Sequence, residues 1–311
     1  IGASIYIQRN DSLMNLSGLD NLGHVDGTVW IDDNDDLTTL AGLGATFIEG
    51  QLTIEDNDSL TDITELLDYT ILYGLDIDNN DALVSLDGLD NLSTVAGTLT
   101  IENNAALEDF SALDLTQVQG NLILRNNGEH VDTLPNFTAN GGCSFGTVLG
   151  SLTIAGHDYL ATLEGMGIDA VGGSITISQN TELADIAALS ALTGGDSCNL
   201  DVFDNDALTS LAGLQGLTRT NNTSISNNSG LESLAGLENM DRANWVSIYN
   251  NANLTDLSAL TNLRAQRLTL YGLDSLQNFT EGVGLTGMRI DDGLNIGDHS
   301  WGGNPQLTSL N

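Results

Sequence analysis

The sequence contains no lysine. Seven arginines are its only permanent cations, set against 43 aspartates and glutamates, and the formal charge is −36. A surface this acidic repels nucleic-acid phosphates and anionic lipid, so no nucleic-acid partner is expected. Solubility, cation binding or a saline setting suit it better. No apolar run approaches the ~20 residues of a membrane helix, so no membrane insertion is expected within this chain. No basic segment precedes an apolar core, so no signal peptide is visible. The chain opens inside a strand pattern, "IGASIYI", as a processed or cropped chain would.

Cysteine is nearly as scarce. Two residues, Cys143 and Cys198, are too few for a zinc site of the CxxC…CxxC kind. Both fall where the regular pattern described below is interrupted, and in an exported protein they are expected to form a disulfide. The alternative is a pair of partly buried free thiols. Catalytic signatures are missing too: there is no HExxH, GxSxG or P-loop, and His24, His130, His157 and His299 are scattered. Acidic pairs such as Asp291 and Asp292 resemble those of a polysaccharide-cleaving β-helix. Carboxylates are so frequent here that one pair carries little information, and neither an enzyme nor an organic cofactor is expected.

What the sequence does have is one pattern, many times over. The window G-x-L-x-I-x-x-N-x-x-L fits "GTVWIDDNDDL", "GQLTIEDNDSL", "GTLTIENNAAL", "GSITISQNTEL" and "NWVSIYNNANL", among others. Its asparagine column runs Asn10, Asn34, Asn57, Asn80, Asn104, Asn127, Asn180, Asn205, Asn228, Asn251 and Asn304, with His157 in the place of one member. The step of about 23 residues is that of a solenoid, here about thirteen coils. Alternation puts Leu99 and Ile101 on one face and Thr98, Thr100 and Glu102 on the other. Such a strand cannot bury its apolar face alone; the next coil, about 4.8 Å away, supplies both ladder and core. The expected fold is an all-β or mostly β solenoid, a parallel β-helix with leucine-rich-repeat-like coils. Periodicity leaves room for a helical turn at "SALDLTQ". No linker divides the chain, so residues 1–311 are expected to form a single elongated repeat domain. Irregular coils are expected near 131–149 and 281–296, and a small expansion at "TGGDS".

The repeat resembles leucine-rich repeats, and more closely the receptor L-domain type found in receptor ectodomains, fungal cell-wall proteins and bacterial surface proteins. It departs from the common L-x-x-L-x-L-x-x-N-x-L: two residues separate Asn104 from Leu107, which favours a β-helix-like coil over a horseshoe with outer helices. The resemblance implies an extracellular or cell-surface protein that binds a protein or glycan ligand; the architecture itself hosts many functions.

Four features are candidates for chemistry. The stacked asparagines are expected to satisfy backbone groups as an internal ladder. Asp35, Asp58 and Asp81 fall in one column, where clustered oxygens would suit calcium; an acidic, solvated edge is the plainer reading. Outward threonines such as Thr98, Thr100, Ser151, Thr153, Ser174 and Thr176 are of the kind found on ice-binding solenoids, but the same columns hold Tyr6, Trp30, Asp76, Ile123, Asp201, Trp245 and Arg267. Trp245, Tyr249 and Tyr271 are expected to project from adjacent coils, where exposed rings stack on sugars or seed protein contacts. The sequons at Asn15, Asn91, Asn136, Asn222, Asn253 and Asn278 matter only in a source that glycosylates. No polar capping unit is seen at either end, which suggests end-to-end self-association into a fibre, or removal of caps. The expected function is therefore non-enzymatic binding, adhesion or assembly, with a carbohydrate-binding or ice-binding module as the alternative and a polysaccharide-acting β-helix enzyme behind it.

Overall fold

The computed structural model describes residues 1–128, 142–194, 198–277, 287–297 and 303–307. The fold is a mostly β parallel solenoid of about 12 turns, each of about 23 residues, with almost no helix among the described residues. Its coils fall into two compact units: residues Ile1–Thr153 with Glu164–Ile168, and residues Ile154–Leu163 with Asp169–Asn311.

In the first unit the strands Ile5–Gln8, Val29–Asp32, Leu52–Glu55, Leu75–Asp78, Leu99–Glu102 and Leu122–Arg125 pair in parallel, each with the next. The register keeps like with like. Val29, Leu52, Leu75, Leu99 and Leu122 lie side by side, as do Ile31, Ile54, Ile77, Ile101 and Leu124. All ten are fully buried. A one-residue slip would turn every one of them outward, so the alternation fixes the register. In the second unit the strands Ile175–Ser178, Leu200–Phe203, Asn222–Ser226, Arg242–Tyr249, Arg264–Tyr271 and Arg289–Ile296 continue the same parallel arrangement.

The return side of each coil is narrower. Ile71–Leu72, Thr94–Val95, Gln117–Val118 and Cys143–Val148 form short parallel pairs in the first unit. Between the two sides run the leucines that follow each asparagine. Leu83, Leu86, Leu89 and Leu92 of one coil are all within 1% of full burial, each contributing about 1.5–3 kcal/mol relative to exposure.

Among the described residues the helical turns are 3-10 and sit at Thr64–Asp68, Ala187–Ala191 and Ser258–Leu260, not at "SALDLTQ". In each the carboxylate two residues ahead accepts the first backbone N–H: Asp62 from Thr64, Asp185 from Ala187 and Asp256 from Ser258, at 2.7–2.9 Å. Coils that carry the L-x-G-L signature take a left-handed turn instead. At Gly213 φ is +122°, and a Cβ would meet the Ile186 carbonyl oxygen at 2.0 Å, so both conformation and space demand glycine.

The expected disulfide is not formed. Cys143, in the strand Cys143–Val148 of the first unit, and Cys198, ahead of Leu200–Phe203 in the second, are both buried and neither is in a disulfide. The Cys198 thiol donates to Arg219 O at 3.6 Å. Burial pushes the Cys143 thiol up to about 12, which makes it a poor nucleophile for exchange.

Candidate functional site

The asparagine column forms a continuous chain of amides within each unit. Asn57 illustrates the wiring. Its Nδ2 donates to Glu55 O of its own coil (2.7 Å), to Ile31 O of the preceding coil (3.1 Å) and to Asn80 Oδ1 of the following one (3.3 Å). Its Oδ1 accepts from the backbone N–H and the side chain of Asn34. The same scheme links Asn10, Asn34, Asn57, Asn80, Asn104 and Asn127, and then Asn180, Asn205, Asn228 and Asn251. Asn304 Oδ1 receives the backbone N–H of Leu273, which stands where a ladder asparagine would be.

His157 heads the second unit's column. Its backbone N–H donates to Asn180 Oδ1 (3.1 Å), and its Nδ1 lies 3.2 Å from the same oxygen. Asn180 Nδ2 is already engaged by Ile154 O and Asn205 Oδ1, so Nδ1 carries the proton. Nε2 is buried without a partner. Burial pulls the imidazole down to about 4, against the opposing Asn180 bond.

One signal in the sequence is easily overlooked. The residue just before each ladder position has positive φ: Arg9, Asp33, Asp56, Asn79, Asn103, Asn126, Gln179, Asp204, Asn227 and Asn250 at 50–58°, with Gly156 and Gly272 completing the row. Asparagine, aspartate and glycine are the residues that accept this region. Their repeated presence ahead of the ladder asparagine is therefore a conformational requirement. Their side chains build a second, outer chain, with Asn126 donating to Asn103 at 2.8 Å and Asn250 to Asn227 at 3.0 Å.

On the outer surface of the first unit, carboxylates stack. Asp32, Glu55, Asp78 and Glu102 share one register position. Burial raises the carboxyl groups of Asp32, Glu55, Asp58, Asp76 and Asp78, and neighbouring carboxylates push the same way in each. Asp76 reaches about 6. Asp35, Asp58 and Asp81 are exposed, one to a coil, and Asp58 is raised by burial and then by Asp81 and Asp35. They do not gather into a set able to share one ion. Among the described residues His24, Asp26 and Glu49 do, with donor atoms within 4.8 Å of one another. Around them, Phe47 meets His24 and Tyr73 edge-on, at 5.0 and 5.9 Å between ring centres.

The threonine column is interrupted: Thr100 lies between Asp76 and Ile123, and Thr176 beside Asp201. Of the sequons, Asn15, Asn91 and Asn253 are exposed and Asn222 is half-buried in a strand. Asn136 and Asn278, like His130 and His299 and much of the two irregular coils, lie outside the described residues.

The second unit carries a different surface. Trp245 is 53% exposed, with the Arg267 guanidinium carbon 5.8 Å from its ring centre. Arg267 Nε in turn donates to Asp292 Oδ2 at 2.8 Å. Tyr249 and Tyr271, neighbours in register, stack with centres 4.8 Å apart and planes 13° from parallel. Both are half-buried. Trp245, Tyr249 and Tyr271 thus lie on two adjacent strands with Arg267 between the coils. Comparison with known proteins found no matching family model, no matching curated protein and no matching solved structure.

Proposed function

We propose that this chain is a non-enzymatic binding protein of the cell surface or extracellular space, with the face around Trp245, Tyr249 and Tyr271 as its contact surface for a glycan. A large exposed indole beside a rigid, stacked tyrosine pair is the observation that carries the reading. Flat rings with one open face offer contact area at little entropic cost, and sugars present apolar faces that stack on them. The solenoid is the support: adjacent strands in register hold the rings at fixed spacing. The leucine-rich-repeat reading of L-domain type rests on the 23-residue coil and the asparagine column, and an adhesive or assembly role is its usual context.

The test is retardation of the protein in gels containing soluble polysaccharides. The native chain is expected to be slowed by at least one glycan, and the Trp245→Ala, Tyr249→Ala double variant to run freely. Equal retardation of both would remove these rings from the function.

A further inference from the structure

The chain's scarce cations are gathered in one place. Five of the seven arginines fall between residues 219 and 289. Four of them occupy one register position on successive coils: Arg219 pairs with Arg242, Arg242 with Arg264, and Arg264 with Arg289. Guanidinium groups therefore start from backbone positions about 4.8 Å apart. Stacked like charges repel, and arginine cannot relieve this by losing its proton. Carboxylates answer only part of it. Asp241 lies 3.5 Å from Arg219, and Asp291 serves both Arg264 and Arg289 at 3.0 Å. Arg242, in the middle of the column and exposed, has no ion pair among the described residues.

Beside it lies a groove of about 230 Å³, lined by Arg242, Asn244, Arg264, Gln266 and Asp291 over two buried alanines. The strand makes this groove by a break in alternation. Ala243 and Val246 both point inward, leaving Asn244 and Trp245 together on the outside. Asn244 of the groove directly precedes Trp245 in the strand. Its side chains are almost all donors or amides, a set that fits an anionic oxygen pair flanked by hydroxyls.

We infer that the arginine column is a binding site for a carboxylate-bearing polysaccharide, with Arg242 as the guanidinium that takes the sugar carboxylate. The inference rests on the glycan reading above and names its ligand class. Arg242 supplies a bidentate donor, Asn244 and Gln266 face the neighbouring hydroxyls, and Trp245 covers a sugar ring. The rings on the same strands favour a polysaccharide over an acidic protein segment. The chain as a whole, at −36, repels any polyanion that is not seated on the column.

The experiment is titration calorimetry of the full chain with polygalacturonate and with an uncharged glucan, at low and high salt. The native protein is expected to bind polygalacturonate, more weakly as salt rises. Arg242→Gln is expected to weaken it about tenfold or more, the loss of one charge-assisted pair. Since Arg242 is exposed, an unchanged melting temperature confirms that the variant is folded. Full binding by both Arg242→Gln and Arg264→Gln would overturn the inference. So would binding of the uncharged glucan by the native chain with no binding of polygalacturonate, a result that would leave the glycan reading intact. Polygalacturonate binding that survives Trp245→Ala, Tyr249→Ala but not Arg242→Gln would retire the rings and keep the column. Arg242-dependent self-association at low salt, without polysaccharide binding, would assign the column to a second copy of the chain and overturn the proposal.

Discussion

The coils carrying Asp32, Glu55, Asp78 and Glu102 and the coils carrying Arg219, Arg242, Arg264 and Arg289 are built alike. Each presents one charged side chain per coil at one register position. They resolve the repulsion differently. A carboxylate can keep its proton longer, and burial with neighbouring acids raises Asp32, Glu55, Asp78 and most of all Asp76. A guanidinium has no such exit, so its column draws in counter-charges, Asp241 and Asp291. Two bonds from Arg264 and Arg289 hold the Asp291 carboxyl below the usual carboxylate range. The repeat sets where a charge stands; the chemistry of the charged group decides what gathers around it.

If the framework is common to both regions, breaking it should cost the same in each. Asn80→Ala and Asn228→Ala both remove a buried amide and strand several backbone partners. Each is expected to lower stability by about 3–5 kcal/mol in urea unfolding. A loss in one region twice that in the other would break the comparison.

Acid separates the regions next. His157 has its folded value lowered to about 4, so the unfolded chain binds the extra proton first. Its contribution is full above the unfolded value near 6.5 and is lost as pH falls toward 4, about 3 kcal/mol in all. His157→Asn is expected to flatten this limb of the stability–pH curve; an unchanged curve would contradict the buried neutral imidazole.

The acidic coils should show the opposite sign. Asp76, raised to about 6, favours the folded state while protonated, and that advantage fades as pH rises from about 4 through 6. Asp76→Asn is expected to raise stability at pH 7 by about 1 kcal/mol, discounted for partial exposure, and to change little at pH 4. A gain at pH 4 that equals the gain at pH 7 would sink the account.

The smallest expected effect concerns calcium at Asp35, Asp58 and Asp81. Because these three carboxylates do not gather round one ion, millimolar calcium is expected to act alike on the native chain and on the triple Asn variant in a melting experiment, and a rise in Tm of the native chain alone would overturn this. An equal rise in both would place any bound ion elsewhere, with His24, Asp26 and Glu49 the next set to alter.

Much of this molecule is legible in its period. Leu99 and Ile101 announce a strand with one buried face, and the 23-residue step says that neighbours share a register. Asn104 reads as a ladder member because an amide that recurs at every turn must meet its own kind. Other features escape because they depend on atoms rather than spacing. Asn103 looks interchangeable with Asn104 in the sequence, yet only its φ of 55° explains it. The arginine column is hidden because Arg242 and Arg264 are 22 residues apart and lie outside the G-x-L-x-I window, so their alignment emerges only from the strand pairing. Cys143 and Cys198 mark interruptions of the pattern, but an interruption does not by itself bring two thiols together, and both are buried without a disulfide.

The amide chain has a direction. From Asn34 to Asn57 to Asn80 to Asn104, every amide-to-amide bond runs the same way: Nδ2 donates to the Oδ1 of the higher-numbered coil, and Oδ1 accepts from the lower. Each coil therefore offers its successor the same socket that it received from its predecessor. A whole coil removed or duplicated in the gene would leave every amide with a partner, while a change of a few residues would not. Length in this protein is thus free to vary in units of one coil, as words may be added to a sentence without respelling their neighbours.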